Sequence, residues 1–464
     1  MAAVKFDRAD AALLSGGPER PVTYAELGRW VMHDRELLRR IRRPALAFQF
    51  CPNGAGAVAA YLACLAERMP LGLGEPATGL RERVIAAYAP NALILPKAEP
   101  APDGYERVGE MAGADLALWE KPGGYPVAPH SDLALLLATS GSTGDAKFVR
   151  LTQANLEANA RAIAGYLGLG PGEIAIQSLP LHYSYGLSVL NSHLVAGGTV
   201  ALPRYSFVHP DFWRMADECR CTSFAGVPYM YETLHRLRLV PTDRPALRTL
   251  TQAGGHLRVE LATHFLAAAA RRGARFFVMY GQTEATARMA YVPPERLAEK
   301  PGSIGLAIPG GALWLEAIPD EPALEQLCYR GPNVMMGYAS GPADLARGDD
   351  QGGVLATGDL AARDDDGFYR ITGRLSRFAK LLGKRVNLAS IESEVEGRFP
   401  VRAAAVDGPS QLKVFIEGGA PGDPEAVRTH LADLLGVPPF AVAVTALDRL
   451  PLLASGKLDY KALS

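Results

Sequence analysis

Much that would mark a secreted, metal-stapled or nucleic-acid-binding protein is missing from this chain. Five cysteines in 464 residues (Cys51, Cys64, Cys219, Cys221 and Cys328) are too few and too scattered for a disulfide framework, and no pair of Cys-x-x-Cys motifs offers zinc ligands. Set in apolar stretches, they read as buried core residues in a reducing compartment. Charge of one sign is lacking too. Lys and Arg number 48 against 49 Asp and Glu, a net charge of -1 that provides no basic surface for nucleic acid or an anionic membrane. No run reaches the ~18 apolar residues that span a bilayer. The first residues carry Lys5, Asp7, Arg8 and Asp10 in place of an apolar signal segment. Internal repeats and low-complexity tracts are absent, and the clusters at 39–43 and 271–272 read as exposed basic helix ends. Together these absences predict a cytoplasmic protein with a small-molecule partner, no nucleic acid and no membrane.

At this length the chain exceeds one compact core and suits a large domain followed by a smaller one. Between residues 130 and 281, apolar runs at 132–138, 173–179, 198–202, 222–227, 247–253 and 274–280 read as strands. The segments between them, such as 152–167 and 259–271, have helical length and spacing. Strand then helix, repeated, predicts an α/β domain of mostly parallel sheet flanked by helices. Past residue 300, strands at 313–317, 326–330, 354–357 and 368–372 predict a small antiparallel β subdomain. Asp364-Asp365-Asp366 before Gly367 resembles a metal site superficially, but Asp-Gly reads better as a hairpin turn. A helix at 389–398, a strand at 412–417, a helix at 424–435 and a strand at 441–447 suggest a separate α+β domain. The expected organisation is a large domain over 1–373, a hinge at 374–378 and a small mobile domain over 379–464.

Chemistry concentrates in a few short segments. Thr139-Ser140-Gly141-Ser142-Thr143-Gly144-Asp145-Ala146-Lys147 comes directly after an apolar strand. A hydroxyl- and glycine-rich turn there could cradle phosphates at a strand's carboxyl end, where parallel sheets bind ligands. It lacks the Gly-Lys-Ser/Thr closure of a Walker loop, which argues against a P-loop ATPase or kinase. Tyr280-Gly281-Gln282-Thr283-Glu284-Ala285-Thr286 also begins where a strand ends, so the two segments are expected to meet at one cleft. Thr357-Gly358-Asp359-Leu360 and Gly373-Arg374 come next, then Lys380 and Gly383; taken singly they are ordinary turns. Ser455-Gly456-Lys457 comes last, with its lysine seven residues from the end of the sequence.

In this order and spacing the segments closely resemble the adenylate-forming superfamily of acyl-CoA synthetases, nonribosomal-peptide adenylation domains and beetle luciferases. The likeness runs from about residue 130 onward; before that only the arrangement of helices and strands agrees. It implies a two-step reaction in which a carboxylate attacks the α-phosphate of ATP, giving an acyl-adenylate and pyrophosphate, and a nucleophile then displaces AMP. Two anions must meet, so cations and hydrogen-bond donors have to face the developing charge. On this resemblance Thr139, Ser140, Gly141, Ser142, Thr143 and Gly144 wrap the β- and γ-phosphates, with Lys147 nearby. Glu284 holds Mg²⁺ and Thr283 a phosphate oxygen, within a segment completed by Gly281 and Gln282. Asp359 takes the ribose hydroxyls with Arg374 beside it, and adenine lies between Gly254-Gly255 and the face of Tyr280. Lys457 is the first-step catalyst, bridging the carboxylate and the α-phosphate. In the second step the small domain rotates about Arg377, withdrawing Lys457 and presenting the face around Lys380, Gly383 and Asn387 to a thiol.

The segment Leu179-Pro180-Leu181-His182-Tyr183-Ser184-Tyr185-Gly186 matches the border of the family's acyl pocket, with His182 beside the carboxylate. Val227, Pro228 and Met289 complete a lining that favours an uncharged acyl or aromatic tail. It has no aspartate to pair a substrate ammonium, so an α-amino acid is not expected. Two departures stand out: Arg377 replaces the usual hinge aspartate, and Ala146 replaces a common proline in the loop. With no carrier domain read after Ser464, the acceptor is expected from outside, as coenzyme A or a separate carrier protein. An amine or another nucleophile is an alternative. A nucleotide-binding protein without turnover would keep the same cleft, but intact Lys457, Glu284, Asp359 and Arg374 argue against it.

Overall fold

The alternation of strands and helices resolves into two sheets. The computed structural model describes residues 4–15, 21–76, 79–100, 102–113, 116–138, 147–319, 321–382, 384–408, 411–418, 423–453 and 458–464, without the side chains of 321–323, 380, 384 and 385. The chain divides into two compact units, Met1–Ala312 with Tyr329–Leu355, and Leu313–Cys328 with Ala356–Ser464.

In the first unit Ala11–Ser15, Thr199–Leu202, Ile174–Ile176, Ser223–Gly226, Thr249–Gln252 and Arg275–Tyr280 are neighbouring parallel strands of a nine-stranded sheet. Leu133–Ala138, expected in the same series, belongs to an eight-stranded sheet, parallel to Leu71–Gly74 and antiparallel to Phe148–Thr152. The path of the chain after Ala138 explains the difference. It returns as a strand, with Ala138 opposite Phe148, so no crossover helix carries it into the other sheet.

Helices separate the two sheets. Ser184–Ala196 packs on Ile174–Ile176 and Thr199–Leu202, Gln153–Leu167 packs on Leu133–Ala138 and Phe148–Thr152, and the two helices pack on each other. Ala55–Ala66 touches strands of both sheets. Ser184–Ala196 and Ala55–Ala66 are buried almost all round, so they carry apolar or small residues on every face. Gln153–Leu167 opens on a capping box: Thr152 Oγ1 accepts from the Asn155 amide at 2.9 Å, and Asn155 Oδ1 from the Thr152 amide at 2.8 Å.

The outer side of Phe148–Thr152 pairs with Gly337–Ala339, setting Tyr338 opposite Val149. Arg150 locks this pairing from a fully buried position. Its guanidinium donates to the carbonyls of Met336, Tyr338, Arg347 and Gly348 and to Asp350 Oδ2, the last at 2.6 Å.

Most of a four-stranded sheet, Ala312–Ile318, Glu321–Arg330, Val354–Arg363 and Tyr369–Arg374, falls in the second unit. Asp364 Oδ1 accepts from the amides of Asp366 and Phe368, and Gly367 takes φ 85°, so the acidic triplet forms the hairpin turn between the last two strands. The hairpin of Phe378–Leu381 with Lys384–Asn387 leads into helix Leu388–Arg398. A three-stranded sheet of Arg402–Asp407, Leu412–Glu417 and Val442–Leu447, with helix Asp423–Leu435, completes the unit. Arg402–Asp407 escaped the sequence reading because its run of alanines carries little β preference. The expected boundary at 374–378 lies inside this unit. Asn387 packs so closely on Gly373 that a Cβ there would stand 2.0 Å from its Nδ2. Among the described residues no helix is long and apolar enough to cross a membrane, and all five cysteines are free and buried.

Replacing Arg150 by methionine strips the cation from Asp350 and from four backbone carbonyls. Arg150→Met is expected to cost about 3–5 kcal/mol, read as a lower urea midpoint at unchanged slope.

Candidate active site

After strand Arg275–Tyr280 the chain makes one tight loop. Gly281 is obligatory there, since a Cβ would stand 1.9 Å from the Ala287 carbonyl oxygen. Thr283–Ala285 form a single 3₁₀ turn, not the start of a longer helix. Thr286 and Ala287 then take positive φ, 59° and 115°. Two left-handed residues without glycine store strain that the surroundings must hold. Asn333 does so: its Nδ2 donates to the carbonyls of Ala285 and Arg288 at 2.8 and 2.9 Å, and its own carbonyl accepts from Thr286 Oγ1 at 2.7 Å.

Glu284 is half-buried at the tip of this loop, with Oε1 accepting from the Tyr338 hydroxyl at 2.9 Å. Among the described residues no Lys, Arg or His stands within ion-pair distance of it. Lys147 Nζ lies 3.7 Å from the centroid of the Tyr338 ring. The last residue of the Gly/Ser/Thr loop and the metal-ligand candidate are thus gathered around one tyrosine. Residues Thr139 to Ala146 themselves lie outside the described residues. Thr283 Oγ1 is 3.1 Å from Ser184 Oγ, joining the loop to the acyl-pocket segment.

That segment is pinned by Asn53. Its Nδ2 donates to the Leu179 carbonyl at 3.1 Å, and its Oδ1 accepts from the Leu181 amide at 2.9 Å. Gly186 permits the fold-back, because a Cβ would stand 2.1 Å from the Pro180 carbonyl oxygen. His182 projects from the turn between them. Burial pushes its imidazole down to about 4, so it is neutral at pH 7, and among the described residues it has no hydrogen-bond partner. A core histidine would have been satisfied. Gly254, at φ 86°, lies against the same surface: a Cβ there would stand 2.5 Å from Tyr183 Oη and 3.2 Å from Val227 Cγ1. Gly255 approaches Pro228 in the same way. Tyr280 begins the neighbouring loop, where its hydroxyl accepts from Gln282 Nε2 at 3.2 Å. Val227 and Met289 are both buried.

In the second unit Asp359 is 2% exposed and accepts from Arg374 Nε at 2.5 Å. These two motifs, separated in sequence, are cross-strand partners, Asp359 opposite Arg374. Arg377 is held as firmly. It donates to both Glu392 oxygens at 2.9 and 2.8 Å and to the Ala405 carbonyl at 2.8 Å, and its guanidinium lies 3.8 Å over the Tyr460 ring. Lys457 and Gly383 lie outside the described residues, as does the side chain of Lys380. The chain on either side of Lys457 is anchored: Leu452 and Leu458 form an antiparallel bridge, and Leu458 packs on Ala404, Val406, Leu450 and Leu463.

Sequence reading missed Tyr338, Asn333, Asn53 and Arg288. Tyr338 and Asn333 sit in Gly331-Pro332-Asn333-Val334-Met335-Met336-Gly337-Tyr338, whose bracketing glycines were the available signal. Arg288, an arginine in the otherwise uncharged 285–292, was equally visible.

For magnesium the donor set is suitable: a hard carboxylate with one oxygen fixed and the other unpartnered among the described residues, beside two hydroxyls. Those residues contain no group of three or more His, Cys, Asp or Glu able to hold an ion. A single protein carboxylate plus substrate phosphates is what Mg²⁺ accepts in nucleotide sites.

Comparison with known proteins identifies the family. The AMP-binding enzyme family model matches residues 2–339. Feruloyl-CoA synthase of Amycolatopsis sp is 32% identical over 373 residues, covering 75% of this chain and 72% of the relative. Sulfoacetate–CoA ligase of Cupriavidus necator is 31% identical over 383 residues, covering 79% and 72%. Among solved structures, o-succinylbenzoate CoA synthetase from Bacillus subtilis in complex with its acyl-adenylate intermediate has a TM-score of 0.75 at 22% identity, covering 100% of this chain and 97% of that one. The same enzyme with ATP and a magnesium ion gives a TM-score of 0.74 at 23% identity, covering 99% and 97%. With a family model spanning most of its length and relatives at this identity, the chain belongs to the AMP-binding enzymes and has the fold of the adenylate-forming ligases.

Proposed function

We propose that this protein is an ATP-dependent, AMP-forming ligase that activates a carboxylic acid as its acyl-adenylate, releasing pyrophosphate, and transfers the acyl group to coenzyme A. The observation that carries this reading is the Lys147–Tyr338–Glu284 group, a cation and a metal-ready carboxylate held on one tyrosine, in a loop joined through Thr283 to the segment that carries a neutral histidine. Magnesium held by Glu284 would neutralise charge on the phosphates, with Thr283 donating to a phosphate oxygen. Neutral His182 adds no charge beside the acid's carboxylate, leaving that anion to the ammonium of Lys457. Lys457 then stabilises the pentavalent phosphorus more than the reactants, because negative charge gathers on the α-phosphate oxygens as the carboxylate attacks. Adenine takes the strip between Gly254-Gly255 and Tyr280, and the ribose takes Asp359.

For the second step the small domain turns, and the residues that can turn are few. Leu375 is tied back to Gly358 by its amide, at 2.8 Å, and the Arg377 amide to the Arg374 carbonyl at 3.1 Å, whereas the Arg377 side chain is tied forward to Glu392 and Tyr460. Ser376 lies between the two anchors. The Arg377 side chain therefore grips the moving part, and we take Ser376 as the pivot.

The named acids of the relatives range from an aromatic phenylpropenoate to a sulfonated acetate, so activity is tested on a broad panel of acids by pyrophosphate release, with mass spectrometry of products formed with coenzyme A, a carrier-protein thiol and simple amines. Coenzyme A thioester is expected. A product found only on a carrier or an amine would reassign the acceptor, and no AMP from any acid would sink the reading.

Three substitutions test the roles individually. Lys457→Ala is expected to slow acid-dependent pyrophosphate release by about 10²–10³. Tyr338→Phe frees the Glu284 carboxylate and is expected to raise the Mg²⁺ concentration giving half-maximal rate by about 10- to 100-fold. Ser376→Pro fixes φ at the pivot and is expected to slow thioester formation about tenfold or more, while pyrophosphate exchange continues.

A further inference from the structure

Burying an arginine with no acid beside it is costly, and among the described residues Arg288 is buried in this way. The residue is 2% exposed. Its guanidinium lies 3.8 Å over the Tyr185 ring, with the Tyr166 phenol as a hydrogen-bonding neighbour and the Tyr183 phenol as an electrostatic one. Among the described residues Nε has no hydrogen-bond partner and no carboxylate comes within ion-pair distance. Arg150, buried as deeply, has four carbonyls and a carboxylate. The lack of a counter-charge is thus particular to Arg288.

Its placement is enforced. The left-handed pair Thr286 and Ala287 precedes it, and its carbonyl accepts from both Asn159 Nδ2 and Asn333 Nδ2 at 2.9 Å. The side chain lines a cavity between the helices Gln153–Leu167 and Ser184–Ala196 and the strands Ser223–Gly226 and Thr249–Gln252. Ser188, Ser192 and Thr251 border the same space. His193 does too, but its nitrogens already meet the Val189 carbonyl at 2.8 Å and Ser223 Oγ at 3.4 Å, and burial keeps it neutral. Arg288 is therefore the one charged group on that wall. About 20 Å³ of the cavity admits the centre of a water molecule, room for one or two waters. Tyr183 and Tyr185, with ring centroids 6.3 Å apart, connect this wall to the His182 turn.

We propose that Arg288 determines acid specificity by binding a second, compact anionic group at the far end of the substrate, so that the preferred acid ends in a carboxylate or sulfonate, not in an alkyl or unsubstituted aromatic tail. This assignment rests on the adenylation reading above and reverses the uncharged tail expected from Val227 and Met289. A mostly apolar wall carrying a few hydroxyls and one cation without a carboxylate among the described residues gains a charge-assisted bond when such a group enters. A methyl terminus would leave the guanidinium buried and unpaired, and sites built to pair a group reject analogues lacking it far more strongly than they judge size.

The test is kcat/KM for AMP formation on matched acids, succinate against butyrate and terephthalate against 4-methylbenzoate, in wild type, Arg288→Met and Arg288→Lys. Wild type is expected to favour the dianion of its better pair by about 100-fold or more. Arg288→Met is expected to lose at least about 30-fold on that dianion and to gain on the methyl-ended partner, a gain that also certifies folding. Arg288→Lys should retain part of the preference. Equal use of both partners by wild type, preference for the methyl-ended acids, or an unchanged dianion preference in Arg288→Met would each overturn the assignment while leaving adenylation standing. If neither member of either pair yields AMP, while another acid of the broad panel does, the assignment falls alone; if no acid does, adenylation falls with it.

Discussion

The antiparallel pairing of Phe148–Thr152 with Gly337–Ala339 joins segments 188 residues apart, and Arg150 makes it permanent by collecting carbonyls and a carboxylate at one buried cation. Everything proposed for the phosphate side of the site depends on this join. Through it Tyr338 comes to lie between Lys147 and Glu284, and the stretch that carries Asn333 reaches the strained loop at 285–288. Closing so long a loop has an entropic cost that grows only slowly with length, and a single well-satisfied buried guanidinium offsets much of it.

Three arginines show how one side chain serves different ends according to its partners. Arg150, saturated with acceptors, is structural. Arg377, shared between Glu392 and the face of Tyr460, fixes the start of the C-terminal elements to their own core. Arg288, buried against tyrosines without an acid, is left with binding capacity that the fold does not consume. A protein keeps such a group against its own stability when a ligand supplies the missing charge.

The strained pair Thr286 and Ala287 links these themes. The bend aims Glu284 toward Tyr338 on one side and carries Arg288 inward on the other, so the residues proposed for the metal and for the far end of the acid share one backbone feature. Asn333 and Asn159 hold the bend by hydrogen bonds to carbonyls that no helix or strand would otherwise satisfy.

Local pattern sufficed for much of this protein. Helix Val259–Arg271 matches the periodicity reading residue for residue, and the parallel strands from Ile174 to Tyr280 agree within a few positions, because amphipathic spacing and capping act over neighbours in sequence. The family was legible in ordered motifs, of which the one around Glu284 lies within the residues that the AMP-binding family model matches. Tertiary structure alone decided that Leu133–Ala138 lies in a second sheet, that Asp359 and Arg374 are cross-strand partners, that Tyr338 stands beside Glu284, and that Arg288 is buried without a counter-ion among the described residues. Sequence lists which charges a chain contains, but whether each is paired, solvated or left waiting depends on which distant segments the folded backbone brings within a few ångströms.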